Sequence, residues 1–433
     1  MFSIFNDYRE IPKGARFLIY LTFIPGLVIG LIYTDLSYFL PRVQGISNFW
    51  MGITIGVMAS TLVVASIPLG ILADKYGRRR MLVVGNIAAS LSLVAFGLTS
   101  NLSLILSIAV LEGLGEASFA VSGSALLADL AGNEKRTVAF SLQAFVGWIA
   151  GALGGFAVSS VFLLQGIGLT IAEAHVTLYV IVGLLGLSVT PFIFRIKESN
   201  YPDRPDPKVT SLPDISAPRR RLIPKKSAGV LLRFLIYSIP VALGAGLFVP
   251  LMTLWFSSAY GVTDAISGPV LGFSSILTAV AVFLSPKLAR KFGLAKAIVL
   301  TQGLSTIFMA AVPTAPTFAT AASLYTVRVF LMNLSNPLSQ SLLMGLVSPD
   351  ERGAASGITA SLWRLPNALS STIGAIWIGM GLLALPFYVA TVLYLTSITS
   401  FWFLFKNARL PEETGKIVEP LTPKVSEEVE ATL

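Results

Sequence analysis

The sequence predicts an all-α protein that crosses a membrane many times, and three observations carry that expectation. Of its 433 residues, 54% are hydrophobic and only 12% are charged, against about 25% charged in globular domains. Apolar runs of the ~20 residues needed to span a bilayer recur along the whole chain. The pentapeptide RFLIY is spelled twice, at 16–20 and at 233–237. A transmembrane barrel would instead show segments of about 10 residues alternating in polarity, and these runs are longer and uniformly apolar.

Twelve of the runs read as membrane helices. The first, 15–40, opens with the pentapeptide and holds Asp35 toward its other end. It is too long for a cleaved secretion signal. The second (49–73) and third (79–99) are joined by GILADKYGRRR at 70–80. The fourth (102–130) carries Glu112 and Glu116, the fifth (137–165) contains GWIAGALGG, and the sixth (174–196) opens with His175. The stretch 197–227 is rich in proline and charge and reads as a mobile linker, with a basic cluster suited to anionic lipid heads. The seventh run (229–258) contains the second pentapeptide. The eighth (266–288) and ninth (294–313) follow, then the tenth (316–347) with Arg328, the eleventh (353–381) with Arg364, and the twelfth (382–405). A polar, acidic tail at 407–433 reads as disordered. The expected organisation is a six-helix half at 1–196, the linker 197–227, a second half at 228–406 and the tail.

The net charge of +9 follows the membrane topology. All but Arg42, Arg328 and Arg364 of the 31 lysines and arginines fall on one side when the helices alternate. By the positive-inside rule that side, with both termini and the linker, is cytoplasmic. The basic balance is therefore a sign of topology and not of nucleic acid. There are no cysteines, which excludes disulfides and thiolate metal sites.

Beyond the pentapeptide the halves align at an offset of 216. Gly30 pairs with Gly246, Gly45 with Gly261, Gly52 with Gly268, Gly56 with Gly272 and Gly77 with Gly293, and EKR at 134–136 pairs with DER at 350–352. Parallel six-helix repeats mark secondary transporters, which move one half against the other around a site near the midplane.

The loop GILADKYGRRR resembles the signature loop of the major facilitator superfamily, with Gly70, Leu72, Asp74, Gly77, Arg78 and Arg79 in place. Its second-half counterpart, SPKLARKFGLA at 285–295, keeps Gly293 but has Arg290 where Asp74 stands. The resemblance implies a latch: Asp74 near the start of the eleventh helix, whose exposed amides favour negative charge, and Arg78 on Asp129. A plain positive anchor is the simpler alternative. In the fifth helix, Gly147, Gly151 and Gly155 resemble a motif of proton-coupled exporters of the superfamily. Ala152 replaces the motif's proline, and the closing glycine pair comes one residue early. Ordinary small-residue helix packing would account for the same letters.

Ionisable groups inside apolar runs are costly and by default functional. They make Asp35, Glu112, Glu116, Arg328 and Arg364 the candidate substrate and proton residues. Glu112 and Glu116 lie four apart on one helix face, where like charges resist joint ionisation. Glu112 plus 216 is Arg328, so the repeat suggests a charge pair across the cavity. Family exporters often have an arginine in the fourth helix near this position, whereas this chain has Glu112, or Ala109 under another alignment. His175 reads as a solvated interface histidine. Trp50, Trp255, Tyr260 and Trp402 read as an aromatic belt. Tyr33, Tyr38, Tyr325 and Trp363 read as core packing.

No Gly-x-Ser-x-Gly elbow, phosphate loop or metal-ligand histidine spacing occurs, so no enzyme activity and no cofactor is expected. The expected function is secondary active transport of a small organic solute, as proton-coupled export. Proton-coupled import of an organic anion or sugar is the alternative. The expected partners are the solute, protons and the lipid bilayer of the cell membrane, around a monomer.

Overall fold

A computed structural model describes residues 10–196, 226–348 and 351–406. Most of the expected linker and the whole of the 407–433 tail lie outside the described residues. Twelve long helices are present among those described. They are α1 (Lys13–Val43), α2 (Asn48–Tyr76), α3 (Arg78–Leu98), α4 (Leu102–Gly132), α5 (Glu134–Gly166), α6 (Ile171–Ile193), α7 (Ala228–Tyr260), α8 (Asp264–Phe292), α9 (Leu294–Thr314), α10 (Phe318–Leu346), α11 (Arg352–Gly379) and α12 (Leu385–Phe405). Ten are long and apolar enough to cross a membrane by length and composition. The other two, α10 and α11, are as long and carry Arg328 and Arg364.

Local chemistry sets the helix ends. Ser47, Asn101 and Thr317 accept hydrogen bonds from backbone amides at the starts of α2, α4 and α10. Thr170 and Glu173 form a reciprocal cap on α6, which satisfies donors that the first turn leaves free. Two tight turns need glycine. Gly77 (φ 101°) joins α2 to α3, and Gly293 (φ 77°) joins α8 to α9, in a region that L side chains rarely enter. These two glycines are 216 residues apart. Large apolar side chains such as Val64, Ile67, Leu163 and Phe403 lie more than 60% exposed, an arrangement suited to lipid rather than water.

Alternation of the helices gives the bundle two ends. One, here the basic end, gathers the starts of α1 and α7 and the α2–α3 and α8–α9 turns. The other is the far end. The tightest described contacts between the halves lie toward the far end, and they obey the repeat. On α2, a Cβ at Gly52 would stand 2.8 Å from Cα of Thr372 on α11. On α8, the repeat-equivalent Gly268 would stand 2.8 Å from the carbonyl of Gly155 on α5. One turn on, Gly56 faces Ala368, and its equivalent Gly272 faces Ala152. Arg42 donates to Ser258 (2.8 Å), a residue 216 away, so equivalent positions meet there on the pseudo-twofold axis. The largest buried apolar cluster crosses the seam, joining Phe39 and Tyr179 of the first half to Phe248, Trp255 and Phe387 of the second. A smaller one, with Leu18, Leu82, Leu126 and Ile193, lies toward the basic end and draws its residues from the first half alone. In this state the far end is shut.

At the basic end the repeat shows once more. Glu10, just before α1, forms an ion pair with Lys135 at the start of α5. Glu351, just before α11, accepts from the backbone amides of Lys226 (3.0 Å) and Ser227 (2.8 Å), just before α7. Residues 10 and 226 are equivalent, and so are 135 and 351.

Candidate functional site

The α4 acids sit 10 and 14 residues into their helix, about 15–21 Å from its start. Glu116 is nearly buried. It accepts a hydrogen bond from the Tyr33 hydroxyl on α1 at 2.7 Å and one from the Arg364 guanidinium on α11 at 3.4 Å. Glu116 belongs to the first half and Arg364 to the second, so the pair bridges the seam. The Arg364 side chain nevertheless stays 42% exposed, and Tyr33 is 41% exposed. The seam is therefore hollow at this level. Glu112, one turn away, is fully buried, and neither of its carboxylate oxygens has a partner among the described residues.

The expected pair of Glu112 with Arg328 is not made. Arg328 donates to the Tyr394 hydroxyl at 2.6 Å, and its guanidinium lies 4.9 Å and 5.5 Å from the ring centres of Phe248 and Tyr394. It is held in an aromatic cage inside the second half, where cation–π attraction replaces a carboxylate. The cross-seam arginine is Arg364, and its partner is Glu116.

Asp35 belongs to a different group. Its Oδ2 accepts from the Tyr179 hydroxyl at 2.9 Å and lies 3.8 Å from Nε2 of His175. The same Nε2 lies 2.5 Å from Oδ2 of Asp264, the first residue of α8. All three side chains are fully buried at the far end. His175 is thus not a solvated interface residue, and Asp264 was not anticipated at all. The sequence signals were faint: a sole histidine inside an apolar run, and an acid where helix starts commonly have one. The 2.5 Å separation is that of a hydrogen bond. A shared zinc ion, with bonds of about 2.0–2.1 Å, would hold the two donors more than 3 Å apart, so the arrangement as it stands is not a metal centre.

At the α2–α3 turn, Arg78 binds Asp129, the pairing the signature loop implies, and also the carbonyl of Ala125 at 3.2 Å. Asp74 is bonded to the same arginine at 3.0 Å and is 67% exposed, and no described contact joins it to α11. Gly70 faces Val121 of α4. On α5, Gly151 and Gly155 sit where Gly30 and Gly268 approach, while Gly147 faces open space. Trp255 departs from the aromatic belt: it is buried, and its ring N–H donates to the carbonyl of Leu383 at 2.8 Å.

Two like six-helix halves, closed on one another around buried charges, define a membrane transporter of the repeat type. The chain belongs to the Major Facilitator Superfamily, whose family model matches residues 18–371. Over 127 residues it is 31% identical to the "Uncharacterized MFS-type transporter YqjV" of Bacillus subtilis (strain 168), a match covering 28% of this chain and 31% of that protein. Multidrug resistance protein 2 of the same bacterium is 24% identical over 380 residues, covering 82% of this chain and 86% of the relative. The solved structure of the nucleoside transporter NupG shares the fold with a TM-score of 0.71 at 13% identity, over 91% of this chain and 99% of that one.

Proposed function

We propose that this transporter exports a small organic solute in exchange for protons. The observation that carries this reading is the bridge from Glu116 to Arg364 across a hollow seam, with the carboxyl of Glu112, unpartnered among the described residues, one turn away. A proton delivered to this pair of acids would cancel the charge that holds Arg364. The halves would then be free to part, and solute and proton would compete for one charge balance. Gly70, Asp74, Gly77, Arg78 and Asp129 act in this scheme as the latch at the basic end, and Gly147, Gly151 and Gly155 let α5 move against its neighbours. The distribution of lysine and arginine makes the basic end cytoplasmic, in the cell membrane, with the monomer as the working unit. A relative named as a multidrug resistance protein supports export. The half-exposed guanidinium of Arg364, a good carboxylate or phosphate ligand, favours a second reading, proton-coupled import of an organic anion or sugar.

Reconstituted vesicles with a pH gradient as the sole driving force decide between them. A panel of organic cations, zwitterions, anions and sugars would be offered at both polarities. Export predicts a solute that moves against the proton flow. Movement with the protons identifies the importer, and pH-independent movement of every transported solute removes the proton from the scheme.

A further inference from the structure

The far-end cluster is used by neither reading. Asp35 and His175 come from α1 and α6 in the first half, and Asp264 from α8 in the second. Nδ1 of His175 lies 2.7 Å from the carbonyl of Ile171. A carbonyl only accepts, so Nδ1 carries its hydrogen and Nε2 is turned toward the acids. The 2.5 Å contact between Nε2 and Oδ2 of Asp264 then needs a proton between the two atoms, whichever of them it rests on. A bare nitrogen lone pair and a bare carboxylate cannot sit this close in a buried site. Asp35 adds a second carboxyl, with the three side chains' donor atoms all within 4.8 Å of one another. Oδ1 of Asp35 and Oδ1 of Asp264 have no partner among the described residues.

The surroundings do little to balance this charge. Tyr179 on α6 donates to Asp35. On α1, Tyr38 stacks on the imidazole with ring centres 6.4 Å apart, and Phe39 lies tilted to it at 5.4 Å. Arg42 on α1 is turned to Ser258, and Glu173 on α6 is turned to its own cap at Thr170. In α2, α3, α5, α7 and α9 the segments toward this end contain no lysine, arginine, aspartate, glutamate or histidine, and Arg328 of α10 is turned to Tyr394.

We propose that Asp35, His175 and Asp264 form a proton-binding site that is complete only while the far end is shut, so that shutting it takes up at least one proton and opening it gives that proton back. The inference rests on the alternating-access reading, since it requires the far end to open. Opening carries Asp264 away from Asp35 and His175 and lets water in. A hydrated aspartate loses its proton at about pH 4 and a hydrated histidine at about pH 6.5. The separated groups therefore hold no extra proton at neutral pH, whereas the closed cluster must hold one. The closed form binds more protons, so lower pH favours it. For one proton the closed-to-open ratio changes by up to about tenfold per pH unit.

The test uses the full-length chain in lipid nanodiscs. It has no cysteine of its own, so spin labels can be placed on Ile167→Cys and Met380→Cys. Both positions are exposed at the far end, one in each half. Pulsed distance measurements from pH 5 to pH 9 should show the short-distance population shrinking as pH rises. Asp264→Asn and His175→Gln should each flatten that dependence, with far-ultraviolet dichroism and gel-filtration elution unchanged. Should one of them misfold, Asp35→Asn supplies a third comparison. A wild-type distance distribution that shifts with added solute but not with pH overturns the proton site and leaves alternating access standing. A pH dependence that survives in Asp264→Asn and vanishes in Glu112→Gln also overturns it, by moving the proton to α4. A distribution that responds to neither pH nor any transported solute overturns this inference together with the alternating-access reading beneath it.

Discussion

Glu112 buries two carboxylate oxygens without a partner among the described residues, a placement that costs roughly several kcal/mol for a charged group and that calls for a use. If it serves the proton, Glu112→Gln should reduce pH-driven accumulation by about tenfold or more while solute-for-solute exchange persists, because exchange needs no net proton movement. Arg364 is the companion case. Arg364→Ala should weaken binding of a carboxylate- or phosphate-bearing solute by ~1.5–3 kcal/mol, the usual worth of a hydrogen bond to a charged group, and by more than Arg364→Lys does. Uptake with and without a pH gradient, and titrations of each variant, check both outcomes. Glu112, Glu116 and Arg364 stood out in the sequence because charges are rare in apolar runs. Their pairing was not legible there. The 216 offset relates positions by a twofold axis, and equivalents meet only where they lie on that axis, as Arg42 and Ser258 do. Residues 112 and 328 lie off it, so their opposite charges never had to touch. His175 was misread for a related reason: its partners come from residues 35 and 264, in helices that only the tertiary fold brings together.

Among the elements, the seam is made of paired helices, α2 with α11 and α8 with α5, and the two pairs are not equally tight. An added methyl at Gly272 would stand 2.6 Å from the backbone oxygen of Ala152, where nothing can give way. At the equivalent Gly56 the nearest atom, the oxygen of Ala368, is 3.4 Å away. Gly272→Ala should therefore destabilise the shut far end by about 1–3 kcal/mol, the usual cost of overpacking, and Gly56→Ala by much less. Far-end label distances and melting of each variant measure the difference. Helix existence and order were legible from run length alone, since a bilayer fixes how long an apolar run must be. Trp255 shows where that reasoning stops. A tryptophan near a helix end sits at the lipid surface or inside the protein depending on which way its helix is turned, and the neighbours decide the turn.

For the molecule as a whole, the side of the membrane is the property on which every direction of transport depends. A single cysteine at Ile167, 78% exposed at the far end, should react with an impermeant maleimide added to intact cells. One at Tyr76, 53% exposed at the basic end, should react only after permeabilisation. The reverse pattern would invert the orientation, and export would become import. The twofold architecture was legible in the repeated glycines, two of which occupy the same left-handed turn in each half. The state of the seam was not, because the repeat relates the two halves without fixing which end of the seam between them is closed.

The two tethers at the basic end have a consequence for how such a chain assembles. Each half anchors the start of its first helix to its own connection between the fourth and fifth helices, and the acceptor carboxylate lies on opposite partners of the tether in the two halves. Glu10 meets Lys135 in one half, and Glu351 holds the segment that begins at Lys226 in the other. Two halves this alike invite a mistake during synthesis, in which the first helix of one docks on the connection of the other. Such a mismatch would set the Glu10 carboxylate beside the Glu351 carboxylate, and the backbone amides of Lys226 and Ser227 beside the ammonium of Lys135, acceptor against acceptor and donor against donor. Like charges at contact distance repel and two donors leave each other unsatisfied, so the reversed polarity of the tethers disfavours that exchange.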